Sequence, residues 1–84
     1  MAKRVVWTEQ ARADVRAIDQ QTALRVLHSL GRFAQSEQGD ALQLQDVKPP
    51  LFRFRAQDYR VFFRDRGDSI LITRVLHRRE AYRD

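Results

Sequence analysis

Two rhythms of apolar and polar residues divide the chain. Up to about position 35 the apolar residues recur every three or four places, and from position 51 they alternate with arginine at every second place. These are the periods of a helix with one buried face and of a strand with one buried face. The first run, Arg4 to Trp7 (RVVW), is β-branched and aromatic, too short for a helix, and predicts a strand. Thr8 comes next as a helix N-cap, with Glu9 in the first turn where a carboxylate complements the helix dipole. Ala11, Val15 and Ile18 then recur at helical spacing, which predicts a short helix over 9–18 with Arg12, Asp14 and Arg16 outward. Asp19 serves as a second N-cap and opens a longer helix to about Gln35. Its apolar stripe is Ala23, Leu24, Val26, Leu27, Leu30, Phe33 and Ala34. Gly31 interrupts this stripe at a cost of about 1 kcal/mol relative to alanine. Two helices joined by almost no loop form a helical hairpin.

Ser36 to Pro50 is expected to be a connecting loop. Gly39-Asp40 punctuates it, Leu42 and Leu44 pin it to the core, and Pro49-Pro50 enforces an extended approach to the next element. Three strands come next. In Leu51–Ala56, Phe52 and Phe54 face one way and Arg53 and Arg55 the other. Gln57-Asp58 is a tight connection. Tyr59–Arg64 sets Tyr59, Val61 and Phe63 opposite Arg60, Phe62 and Arg64. Asp65–Asp68 is a turn with Gly67 available for positive φ. Ser69–His77 is the most apolar run and predicts a central strand, with Leu71, Thr73 and Val75 opposite Ile70, Ile72, Arg74 and Leu76. The order βααβββ predicts an α+β fold, a helical hairpin packed on one face of a four-stranded, mainly antiparallel sheet. Unpartnered buried arginines would cost several kcal/mol each, so Arg53, Arg55 and Arg60 are expected on the open face.

Composition narrows the context. Eighty-four residues make a single domain, 1–84. The absence of cysteine argues for a cytoplasmic protein without disulfides. The N-terminal apolar run is too short for a signal peptide, and no stretch approaches a membrane span. The net charge is +5, and of fourteen arginines nine lie beyond position 50. Lysine occurs only at positions 3 and 48. Arginine's planar fork suits bidentate phosphate contacts and stacking on bases, which points toward nucleic acid. The alternative for each arginine is an ion pair, for instance with Asp58, Asp65 or Glu80.

The candidate chemistry is bounded by what is missing. There is no phosphate-binding glycine loop, no cysteine, and only His28 and His77 among histidines, so neither a cofactor nor a metal is expected. No serine has a convincing partner for nucleophilic catalysis. Arginines, one histidine and Tyr82 remain. That set suits RNA cleavage by the substrate's own 2′-hydroxyl, where the protein must stabilise phosphorane charge, align two oxygens and move two protons. A tyrosine is a poor base at its ordinary pKa near 10, and clustered guanidiniums favour the phenolate.

Two segments, LFRFRAQDYRVFFR and ITRVLHRREAYR, in that order and at that separation, resemble the RelE/ParE superfamily of type II toxins. The resemblance covers nearly the whole chain. It implies an mRNA interferase acting on mRNA in the ribosomal A site and inhibited by a cognate antitoxin in a hetero-oligomer. By motif position it implies catalytic roles for Arg60, Arg78, Tyr82 and His77, and RNA binding by Arg53, Arg55, Arg64, Arg74 and Arg79. Arg60 would stabilise the transition state, Arg78 the leaving 5′-oxygen, and Tyr82 would activate the 2′-hydroxyl. The chain departs from the family pattern in having Leu76 where a glycine is usual and arginine at 53 and 55 where RelE has lysine. Its end two residues after Tyr82 leaves no C-terminal helix in this reading. A ParE-like inhibitor of DNA gyrase, or a module that binds RNA or antitoxin without activity, are the alternatives on the same scaffold.

Overall fold

The computed structural model describes residues 3–36 and 41–81. Its elements are β1 (Arg4–Trp7), α1 (Glu9–Arg16), α2 (Gln20–Ser36), β2 (Ala41–Gln43), β3 (Phe52–Ala56), β4 (Tyr59–Asp65), β5 (Ser69–His77) and α3 (Arg78–Ala81). The α+β architecture is as expected, but the sheet has five strands rather than four. Their order is β1-β5-β4-β3-β2, with β1 parallel to β5 and the other neighbours antiparallel. The added strand, β2, falls in the expected loop, because three residues are too few to show an alternation. It sets Ala41 opposite Phe54 and Gln43 opposite Phe52. Leu42, opposite Arg53, therefore turns away from the core and is 50% exposed. Leu44 is half-buried and its N–H donates to the Leu51 carbonyl at 2.8 Å. The Gly39-Asp40 turn lies outside the described residues.

Local chemistry accounts for the helix starts. Thr8 Oγ1 accepts the Ala11 N–H (3.1 Å) and donates to the Ile72 carbonyl (3.0 Å), so one side chain caps α1 and ties it to β5. Asp19 Oδ2 accepts the Thr22 N–H at 3.0 Å, and that bond holds the carboxyl below its ordinary range. The first helix ends at Arg16, two residues earlier than expected, with the Ala17 N–H closing onto the Ala13 and Asp14 carbonyls. Ile18 still packs against the core from the turn between the helices. Gly31 is exposed, with open space where a side chain would be.

The core lies between the hairpin and one sheet face. Val26, Leu30, Val61, Ile70 and Ile72 are its largest fully buried side chains. Phe33 from α2 stacks on Phe54 (ring centroids 4.6 Å) and tilts against Phe63 (5.5 Å), which stacks in turn on Phe52. Burial along β5 does not follow strict alternation: Ile70, Ile72 and Val75 are all inside, at spacings of two and then three. Phe62 pairs with Arg74 and Phe63 with Ile72, so Thr73 is an extra residue on β5 and forms a bulge. Thr73 Oγ1 holds the irregularity by donating to the Phe62 carbonyl at 3.1 Å. Val75 thereby joins Ile70 and Ile72 on the core face instead of standing opposite them.

Beyond the bulge β1 has ended and α1 lies along the free edge of β5. Asp14 occupies the place a neighbouring strand would fill. Its carboxylate accepts the Val75 N–H (2.9 Å), Arg74 Nε (2.8 Å) and Nη2 (3.2 Å), and Gln10 Nε2 (3.1 Å). Asp14 is thus not outward, as helical spacing alone suggested: its side chain is 9% exposed. At the other end of the strand pair, Lys3 bridges to Asp65 at 2.8 Å.

Candidate functional site

Because cross-strand partners share a face, the register assigns the side chains of the sheet without ambiguity. On the face turned from the helices, one row runs Leu42, Arg53, Phe62, Arg74 across four strands. The next row toward the β3–β4 turn runs Arg55, Arg60, Leu76. Tyr59 and His77 pair on the opposite, helix-side face. The aromatic ring of Phe62 is half-buried between two arginines, a pattern suited to bases as well as phosphates.

Arg60 departs from expectation. It is only 6% exposed. Its Nη1 donates to the Gln57 and Tyr59 carbonyls, both at 3.1 Å, so the guanidinium folds back over the β3–β4 turn. Sequence reasoning put Arg60 in the open because burial without partners is costly; the backbone of a two-residue turn supplies partners that no side-chain pattern reveals. Gln57, whose carbonyl accepts from Arg60, takes φ of 59° in that turn.

The same turn receives the start of α3. The Arg78 N–H donates to the Asp58 carbonyl at 2.7 Å, docking the first turn of α3 against the β3–β4 connection. The sequence reading placed no element at Arg78–Ala81, where this short helix forms. Arg78 and Arg79, both exposed, are carried by it at the end of the sheet where the turn joins Arg55 on β3 to Arg60 on β4. Two arginine clusters some twenty residues apart in sequence thus converge at one end of the sheet. His77, immediately before α3, is half-buried; its ring meets Tyr59 edge-on (centroids 5.2 Å, 86°) and its Nδ1 accepts the Arg79 N–H at 3.2 Å. It therefore sits on the other face from Arg53, Arg55 and Arg60. Tyr82 lies outside the described residues.

Two of the expected RNA-binding arginines have internal work. Arg64 Nη1 donates to the Pro49 carbonyl (2.7 Å) and, more weakly, to that of Pro50 (3.3 Å), pinning the approach to β3. Arg74 clamps Asp14, and that hydrogen bond raises its already high pKa. Neither role had a sequence signal, since Asp14 is sixty residues from Arg74 and the prolines contribute only backbone. Arg53, Arg55, Arg78 and Arg79 lie at the surface, Arg53 half-buried and the others exposed. Among the described residues, no three His, Asp or Glu side chains stand close enough to share a metal ion. A strongly positive surface that holds one guanidinium rigidly and presents several more can bind and polarise a phosphodiester.

Solved structures of toxin–antitoxin complexes share this fold. Over 93% of this chain and 97% of its own, a chain of the archaeal RelE–RelB complex from Pyrococcus horikoshii superimposes with a TM-score of 0.71 at 22% identity. The RelB–RelE antitoxin–toxin complex of Methanococcus jannaschii gives 0.72 at 20% identity, covering 92% and 94%. The toxin–antitoxin complex RelBE2 of Mycobacterium tuberculosis gives 0.69 at 24% identity, covering 92% and 99%. Among proteins with curated descriptions none matches the chain. The model of the family described as the ParE toxin of the type II toxin–antitoxin system parDE matches residues 5–82, which is nearly the full length. With that match, and with a fold shared with RelE toxins, the chain belongs to the ParE toxin family within the RelE/ParE superfamily and is the toxin component of a type II toxin–antitoxin system.

Proposed function

We propose that this toxin is a ribosome-dependent mRNA endoribonuclease that cleaves through the substrate's 2′-hydroxyl. The observation that carries the reading is the convergence at one end of the sheet. The Arg55–Arg60 cross-strand pair and α3, with Arg78 and Arg79, meet through the bond from the Arg78 N–H to the Asp58 carbonyl. In the reaction, Tyr82 takes the proton of the 2′-hydroxyl, whose oxygen attacks the adjacent phosphorus. The bond to the 5′-oxygen breaks, a 2′,3′-cyclic phosphate forms, and the leaving oxygen takes a proton from a water molecule while the Arg78 guanidinium stabilises its negative charge. Arg60, fixed by the Gln57 and Tyr59 carbonyls, contributes charge from a preorganised position; Arg53, Arg55 and Arg79 hold the flanking phosphates. Neither metal nor cofactor takes part. Arg64 and Arg74 contribute by holding the scaffold.

The partners in this reading are mRNA in the ribosomal A site and a cognate antitoxin, in the cytoplasm. Each of the three solved fold neighbours is named as a complex with an antitoxin or RelB. Here such a partner would cover the basic, aromatic face around Phe62 in a toxin–antitoxin hetero-oligomer. The family name favours a second reading, inhibition of DNA gyrase without RNA chemistry. Purified protein added to a cell-free translation reaction, with 5′ ends mapped along the mRNA, separates the two. Cuts within translated codons that vanish without ribosomes support the nuclease; intact mRNA together with blocked supercoiling supports the gyrase reading.

A further inference from the structure

We propose that His77 is a positioning residue that sets α3 on the sheet through Nδ1, and takes no part in proton transfer. A one-turn helix has almost no stability of its own, because nucleation fixes several residues for a single hydrogen bond. The first two N–H groups of α3 are supplied with acceptors from outside the helix: the Asp58 carbonyl for Arg78 and the His77 imidazole for Arg79. The imidazole is itself held edge-on by Tyr59, its cross-strand partner, so the acceptor has a fixed direction. An N–H that donates to Nδ1 requires a lone pair there, which places the ring proton on Nε2. One nitrogen is thus committed to the backbone and the other already carries its proton. The ring also lies on the helix side of the sheet, away from the Arg53 and Arg60 rows. What His77 controls is where Arg78 and Arg79 stand relative to the β3–β4 turn.

The activity arm of the test rests on the nuclease reading; the structural arm does not. Nitrogen-15 correlation of the imidazole in the full-length protein should show the Nε2–H tautomer, and an Nδ1–H tautomer overturns the proposal. Asparagine places Oδ1 where histidine has Nδ1, whereas glutamine places its polar group at the reach of Nε2. In ribosome-dependent cleavage, His77→Asn should stay within about threefold of the wild-type kcat, while His77→Gln should lose about tenfold or more through misplacement of α3. Equal loss in both overturns the proposal in favour of proton transfer or of the ring alone, and equal retention overturns it as well. Amide exchange reads the same distinction without activity: the Arg79 N–H should exchange about tenfold faster in His77→Gln than in His77→Asn. Unchanged exchange in β4 and β5 controls for the fold. Should even the wild type fail to cleave, the nuclease reading falls, and the tautomer and exchange results still decide the role of His77.

Discussion

Replacing Asp14 with alanine tests whether one side chain stands in for a missing strand. In the wild type its carboxylate serves the Val75 N–H at 2.9 Å and two Arg74 nitrogens at 2.8 and 3.2 Å. Alanine leaves the Val75 N–H without its acceptor at a part-buried edge, a loss of about 1–3 kcal/mol. The Arg74 side chain is 45% exposed and rehydrates on losing its partner, so the ion pair adds only about 1 kcal/mol. The total, about 2–4 kcal/mol, should lower Tm by roughly 10–20 °C in a domain this small. Asp14→Asn keeps an oxygen for Val75 and should cost about 1 kcal/mol. Urea unfolding followed by circular dichroism measures both. If alanine costs under about 0.5 kcal/mol, or asparagine costs as much as alanine, the carboxylate is not completing the edge of β5.

Acid provides a second reading of the same group. Burial alone pushes the Asp14 carboxyl up, but hydrogen bonds from Arg74, the Val75 N–H and Gln10 outweigh it and hold the group below its ordinary value. The folded protein therefore takes up this proton less readily than the unfolded chain. The stabilisation is complete above the ordinary carboxylate pKa, near about 4, and is lost as pH falls through the depressed folded value. The stability gap between wild type and Asp14→Asn should accordingly shrink on acidification below about pH 4. Asp65, held low by Lys3, and Asp19, held low by the Thr22 N–H, remain in the variant and leave it with residual acid sensitivity.

The two described glycines should respond in opposite directions. Gly31→Ala, on an open helix surface, should stabilise by about 1 kcal/mol. Gly67→Ala, at φ of 89°, should destabilise by about 1–2 kcal/mol in the same unfolding assay. Phe33→Ala removes the ring that bridges Phe54 and Phe63 and should cost about 3–5 kcal/mol, read as a lower urea midpoint. Arg60→Ala should slow cleavage by about a hundredfold, or ~3 kcal/mol, with substrate binding affected less than kcat.

How far the chain explains itself depends on the range of the interactions involved. Helix starts at Thr8 and Asp19, the hairpin and the alternation of β3 and β4 are written in neighbouring residues, and they could be read directly. The bulge at Thr73 was not read, because plain alternation sets Val75 opposite Ile70 and Ile72, and all three can be buried only if the strand changes phase. Strand β2 and helix α3 have three and four residues, below the length at which periodicity exists. The arginines divide the same way. That Arg53 and Arg55 share a face results from spacing. The folding back of Arg60, the Arg64 hold on the prolines and the Arg74 clamp on Asp14 depend on backbone carbonyls and on a carboxylate sixty residues away. Residue type told which side chains carry positive charge; only the fold told which of them serve the scaffold.

Central to the proposed function is that the basic cluster at the β3–β4 turn and α3 cuts RNA with the RNA's own hydroxyl. Ribosomes programmed with a defined mRNA, carrying a single 2′-deoxy nucleotide at the mapped cleavage position, test it most directly. The nuclease reading predicts that the all-ribose message is cut to a 2′,3′-cyclic phosphate and a 5′-hydroxyl end, and that the singly substituted message stays whole at that position. Cleavage of the 2′-deoxy message at the same rate would contradict it, as would an all-ribose message left intact.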